Sequence, residues 1–435
     1  MSSLRLRLAP LLDALYMGLL LPAPIYCFWQ ILYVLITNQF LATAARMPTV
    51  FLDFRKYYSM GHILYSNLAD HVYDPATQLQ FFNSYGTAVP SQTSYYSEYP
   101  PYFLLLLAPY ALLPVDLAYV VWCLSSVALA SAGLWLLGKT CGLSSKQVLV
   151  LLAGLLVSVP TWQSLMLGQS SFFLLAIIAI YCWSWLKGRD TICGIAMALS
   201  TIKLQYIFFL CMPVVAQKRW RVLAAAFVCE VLLLVSSALP IGWKNVVGYP
   251  FVILRADRDN AHDTQFHEIL VSLREPLTLL LPYSVAFLVS MIVVGFSCFA
   301  LFKFWRQEPA SSHPSPAAGG LPPQNLDSQP LLLACTVTFA VALSPHTHLH
   351  DCVLLAVPAA LTLQALSPVR ALSIQPVGKR VWHLALLLYP LFGWVVWALF
   401  SRVPLLKFSS FTLFNVFLLI VAVRIAIAHR PDMAQ

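Results

Sequence analysis

Apolar runs of 18 or more residues recur along most of this chain, and nothing else limits its folding so strongly. In hydrocarbon every backbone N–H and C=O needs an internal partner, so runs this apolar are read as membrane-spanning helices. The composition agrees: 60% of the 435 residues are hydrophobic and only 10% are charged, with a mean hydropathy of +0.77. An average soluble domain is about 25% charged. The expectation is an all-α polytopic membrane protein. Its first run, roughly 12–36, is too long for a signal-peptide core and lacks a small-residue cleavage site, so it is read as a retained anchor.

A net charge of +9 raises the question of nucleic acid, and the distribution of that charge answers it. Basic residues sit in short clusters between apolar runs: Lys139 and Lys146, Lys187 and Arg189, Lys218 to Arg221, Lys303 and Arg306, Lys379 and Arg380. That is the positive-inside pattern, which orients spans and implies no nucleic-acid partner. Two long polar loops, 37–100 and 242–276, are close to neutral and are expected outside the cytoplasm. No cysteine lies in either, so neither a disulfide framework nor a metal-type cysteine spacing is present there.

Counting apolar segments predicts about 10 to 13 transmembrane helices in one integral membrane domain, 1–435. The run 101–113 is too short to cross about 30 Å at 1.5 Å per residue. The run 191–215 lies between two basic clusters and should cross an even number of times. Two half-helices meeting near Ile202-Lys203-Leu204-Gln205 would satisfy that. The first long loop should carry two surface helices, one over 54–68 and one after the Asp74 cap and Pro75. The Pro/Ser/Gly-rich stretch 307–329 has the composition of a disordered cytoplasmic linker.

Asp53 is the leading candidate for chemistry. It stands at the mouth of the bundle beside aromatic residues, flanked by Arg55 and Lys56, where a carboxylate can act as a general base. The plainer reading is a helix-start acid paired with its neighbours. Glu98, just before Tyr99-Pro100-Pro101, brackets the same loop. Gly168-Gln169 marks an outer turn, where glycine allows close backbone approach and the amide can bond a sugar hydroxyl or phosphate. Lys203 lies inside an apolar stretch, where an ammonium costs on the order of 3 kcal/mol on insertion scales and so faces a cavity or a partner. A phosphate is the favoured partner, with Glu230 and snorkelling as alternatives. In Ser344-Pro345-His346-Thr347-His348-Leu349-His350-Asp351, His346 and His350 share a helical face and could hold a metal. Hydrogen bonds from these histidines to phosphate or sugar are the preferred reading. No metal and no cofactor are assigned.

Taken in order, these motifs resemble glycosyltransferase family 87, the polyprenyl-phosphate-mannose-dependent mannosyltransferase type with a GT-C fold. The resemblance rests on Asp53 through Gly61, Tyr99-Pro100-Pro101, Gly168-Gln169, Lys203 in a small-residue span, and Ser344 through Asp351, spread over roughly 10–430. It implies that Asp53 is the catalytic base and that Lys203 and His346 stand near the donor phosphate. His348, Gln169, Arg55, Tyr57 and Tyr58 join them on the donor side, with Glu98, Tyr99, His350 and Asp351 on the acceptor side or behind it. Leu204 departs from the proline common after the lysine, and His350 from a frequent aromatic.

The expected activity is a hexosyl transfer, with mannose the favoured sugar, from a polyprenyl-phosphate-linked donor to a lipid or glycan acceptor. It would take place at the outer face of a bacterial plasma membrane, among membrane lipids. Two other readings are a transporter or flippase of lipid-linked sugars, and an envelope polysaccharide polymerase or ligase. A transporter would often show paired repeats with a broken helix in each half; only one candidate break is visible.

Overall fold

A computed structural model describes residues 29, 51–85, 99–260, 271–278, 280–308, 328–363, 377–400 and 404–428, and among these residues there is no strand. The expected first span (apart from Trp29), Glu98 and nearly all of the 307–329 linker lie outside the described residues.

The first long loop carries both expected helices, α1 (Leu52–Leu64) and α2 (Pro75–Asn83). Asp74 caps α2 by accepting the Thr77 N–H at 2.9 Å, with Pro75 in the first turn, where its missing N–H goes unnoticed. The expectation of α1 as a surface helix is only half met. Phe54, Tyr57, Met60 and Ile63 are fully buried, and α1 packs on α3 (Pro101–Ala111) through Gly61, where a Cβ would come within 2.8 Å of Ala111 Cβ. Its aromatic residues are therefore core, drawn inward by the apolar area they bury.

Next come α4 (Val115–Thr140), the pair α5 (Ser145–Leu156) and α6 (Val159–Leu167), and α7 (Ser171–Leu186). The α5–α6 pair bends by 61° and passes as one broken span. Ser158 causes no break in capping there: its side chain accepts the Thr161 N–H and so restarts the helix.

Residues 190–216 form α8 (Asp190–Leu199), a 3₁₀ turn (Ser200–Tyr206) and α9 (Ile207–Ala216). By length and apolarity this segment could cross once, but a straight run would hold its ends about 40 Å apart. Instead Arg219 Nε donates to Asp190 Oδ1 at 2.9 Å, and Arg219 also stacks on Trp185 and bonds its carbonyl. The ends meet, so the segment folds back, and the reversal falls at Lys203 (φ −123°, ψ 88°). The half-helices inferred from charge spacing are present.

Beyond α10 (Trp220–Ile241), the second outer loop does not begin as irregular chain. It opens with α11 (Trp243–Asn260), whose Trp243, Val247, Phe251 and Leu254 are exposed at helical spacing while Val246 and Ala256 are buried. After α12 (Arg274–Thr278), α13 (Tyr283–Arg306) and α14 (Ser328–Leu343), the chain enters the 3₁₀ turn Leu349–Leu355, α15 (Ala356–Thr362), α16 (Val377–Leu399) and α17 (Pro404–Ala428). Among the described residues α4, the 190–216 segment, α10 and α13 are long and apolar enough to cross a membrane, five with the bent pair, and further apolar helices are shorter. Lys187, Arg189, Arg219 and Arg306 gather at one end of the bundle. Asp53 and Lys203 lie toward the other.

Candidate functional site

The site is built where α1 meets the turn between α6 and α7. Gly168 adopts φ +71°, and a Cβ there would lie 2.4 Å from Phe54 Cβ, so only glycine lets the turn approach α1 this closely. Two hydrogen bonds seal the junction: Phe51 N–H to the Met166 carbonyl at 2.8 Å, and Trp122 Nε1–H to the Gly168 carbonyl at 2.9 Å. The turn thus carries Gln169 to the first turn of α1, where Asp53 stands.

Asp53 keeps 14% of its side chain exposed, and Lys56 Nζ lies 3.9 Å from its Oδ1. Tyr57 donates to Gln169 Oε1 at 3.2 Å, and the Tyr99 hydroxyl lies 2.5 Å from that of Tyr57. The Gln169 side chain lies near the Asp53 carboxylate and favours its ionised form. Burial raises the Asp53 carboxyl above the usual carboxylate value, against smaller lowering effects from Lys56, Gln169 and Lys203. Gln169 and Tyr57, expected on the donor side, lie beside Asp53.

The second half of the site is the tip of the 190–216 hairpin. Lys203 Nζ donates to Asp351 Oδ1 at 2.5 Å, and the Ser171 hydroxyl donates to the same oxygen at 2.6 Å. His350 Nε2 lies 3.4 Å from the ammonium, and its ring stacks on His348 at 5.1 Å between centroids. Both side chains are buried, Lys203 with 8% of its side chain exposed and Asp351 with none. Burial pushes the His348 imidazole down to about 3, so it stands neutral. Asp53 feels the charges of both Lys203 and Asp351, which joins the two halves into one site.

Several sequence expectations change here. Arg55 does not face the site: it is fully buried, sits 4.0 Å over the Phe82 ring and donates to the Phe82 carbonyl at 3.3 Å. Tyr58, one position after Tyr57, is also directed elsewhere, donating to the Leu113 carbonyl at 2.7 Å and packing on His62 and Tyr85. Glu230 accepts from Thr201 at 3.3 Å, leaving Asp351 as the acid paired with Lys203. His346 and His350 do not share a helical face, because regular turns begin only at Leu349. His346 meets Arg274 Nη1 at 3.0 Å instead.

Sequence reasoning missed Ser171 and Arg274. Ser171 stands two residues after Gln169 and could have been included with that turn. Arg274 is fully buried between the Tyr283 and Phe287 rings and close to a histidine 72 positions on, a pairing that no local pattern announces. An apolar crevice of about 60 Å³ opens next to the site, bounded by Leu151, Leu155, Cys352, Ala356, Leu386 and Pro390, so that Cys352 adjoins Asp351.

Comparison with known families gives one match: the model described as glycosyltransferase family 87 covers residues 96–318, just over half of the chain. The matched stretch holds Tyr99, Gln169, Lys203 and Arg274, while Asp53 and the 344–351 segment fall outside it. No curated protein matches the chain.

Proposed function

The chain belongs to glycosyltransferase family 87, and from that premise we propose that it transfers a hexose, mannose being the favoured sugar, from a polyprenyl-phosphate donor to a lipid or glycan acceptor. Asp53 serves as the base. It takes the acceptor hydroxyl proton as the acceptor oxygen bonds to the anomeric carbon, and the bond from that carbon to the phosphate oxygen breaks. The carrier leaves with the electron pair as a phosphate monoester, and the anomeric centre inverts in a single displacement.

Phosphate is already a competent leaving group, so a cation near its oxygens is useful and a strong acid is not required. Lys203 supplies that cation, its charge offset in part by Asp351. A glycosidase normally places two carboxylates about the bond; here Asp351 is engaged by Lys203 and Ser171, which leaves Asp53 for proton transfer. The apolar lining of the crevice beside Cys352 is the kind of surface an isoprenoid chain would contact. Under the positive-inside rule the basic end of the bundle is cytoplasmic, which puts Asp53 outside, in a bacterial plasma membrane.

The reading is carried above all by the carboxylate of Asp53, on the helix whose Tyr57 meets Ser170, next to the Ser171 that shares Asp351 with Lys203. The test is transfer by purified protein in detergent, with a supplied polyprenyl-phosphate hexose and no ion gradient. Wild type should transfer, while Asp53→Asn and Asp53→Ala should bind donor and transfer nothing. Full activity in either variant rejects the assignment, and a requirement for a diphosphate-linked donor favours a polymerase or ligase.

A further inference from the structure

A glycosyl transfer from a lipid phosphodiester changes the charge at the phosphate. The donor carries one negative charge. The released monoester carries about −1.5 to −2 near pH 7, because its second ionisation lies near 6. A lone lysine in a partly dehydrated site would hold the more highly charged product tighter than the substrate, and turnover would stall on release.

This site is arranged otherwise. Lys203 lies against a fully buried carboxylate 2.5 Å away, and a second hydrogen bond, from Ser171 at 2.6 Å, holds that carboxylate in place. The neighbouring pair repeats the pattern, Lys56 facing Asp53 at 3.9 Å. The geometry points to Asp351 as a specificity-determining counter-ion, one that holds Lys203 in a net-neutral pair so that the site does not grip a phosphate monoester dianion more tightly than a phosphodiester. Asp351 is fully buried behind this pairing and acts through Lys203, as a positioning residue. The inference rests on the lipid-phosphate reading above and adds to it the side of the reaction, product release, on which Asp351 acts.

The experiment compares two soluble-tailed probes on the full-length protein in detergent: farnesyl phosphate, a monoester, and its methyl ester, a diester. Affinities are measured by titration calorimetry at pH 7.5. In wild type the two should bind within about threefold of each other. In Asp351→Asn the monoester should gain at least about tenfold over the diester, since an uncompensated ammonium rewards the extra charge strongly at short range. A purely structural role for Asp351 would weaken both probes alike and leave their ratio unchanged, which would overturn the inference. So would a monoester preference of tenfold or more already present in wild type, a measurement that needs no variant to fold. If neither probe binds wild type at millimolar concentration, the lipid-phosphate reading itself fails and takes this inference with it.

Discussion

Gly168→Ala separates the two things that a glycine can do, and the structure supplies its own control. At φ +71° an alanine carries the left-handed penalty of roughly 1–2 kcal/mol. In addition its Cβ would sit 2.4 Å from Phe54 Cβ, against about 3.5–4.0 Å for carbons in contact. Helix α1 must therefore back away by about 1 Å at the residue next to Asp53, loosening the Gln169 contact. A displacement of that size is worth on the order of 10²-fold in rate when it misplaces a reacting group. Gly142 has the same handedness, φ +79°, but no heavy atom within 4 Å of its would-be Cβ. Gly142→Ala should lose about 1–2 kcal/mol of stability and keep its activity. Both variants are read by thermal unfolding in detergent and by initial rates of transfer. If Gly168→Ala transfers within roughly threefold of Gly142→Ala, the close approach of the turn to α1 does not position the base, and the reasoning fails.

Other outcomes follow from the same geometry. Burial raises the Asp53 carboxyl in the folded protein, so its ionised form is penalised: stability from this group is greatest below the unfolded value and is lost as pH rises through the folded one. Asp53→Asn should therefore unfold at a higher temperature than wild type at pH 7.5 while inactive, and an unchanged or lower midpoint would contradict the raised ionisation. For wild type, kcat/KM should fall on the acid side at a pH above that of an ordinary carboxylate, since the base works only when ionised; a limb at or below pH 4 argues against Asp53. Lys203→Met strands Asp351, fully buried, and should destabilise by about 3–5 kcal/mol. Adding Asp351→Asn should restore most of that stability but no activity, and a single variant as stable as wild type would refute the pairing. Finally, single cysteines placed at Gly188 and Gln217 should react with an impermeant maleimide from the same side of the membrane, because Arg219 ties the hairpin ends together. Labelling from opposite sides would show one crossing instead.

Much of the architecture was legible before any coordinates. Apolar run length and charge clustering are local properties, and they identify helices, their ends and even the fold-back at Lys203, because desolvating the backbone leaves so few alternatives. The Asp74 cap of α2 is equally local. Helix α11 was passed over because its apolar residues recur among charges in a stretch read as polar loop. Within the site, residue types were easier to foresee than directions. Arg55 and Tyr58 belong to the same short motif as Asp53 and Tyr57, yet one turn of helix sends them to Phe82 and Leu113.

The amino-acid order alone determined that this chain builds a helical bundle in a membrane, with its basic residues gathered at one end and an acid at the start of α1. Tertiary structure decided which charges meet: Lys203 and Ser171 converge on Asp351, 148 and 180 positions away, and Gln169 reaches back to Asp53. The reason is one of range. Hydropathy and capping act over a few neighbouring residues, whereas an ion pair inside a bundle depends on how packed helices place side chains that the sequence keeps far apart.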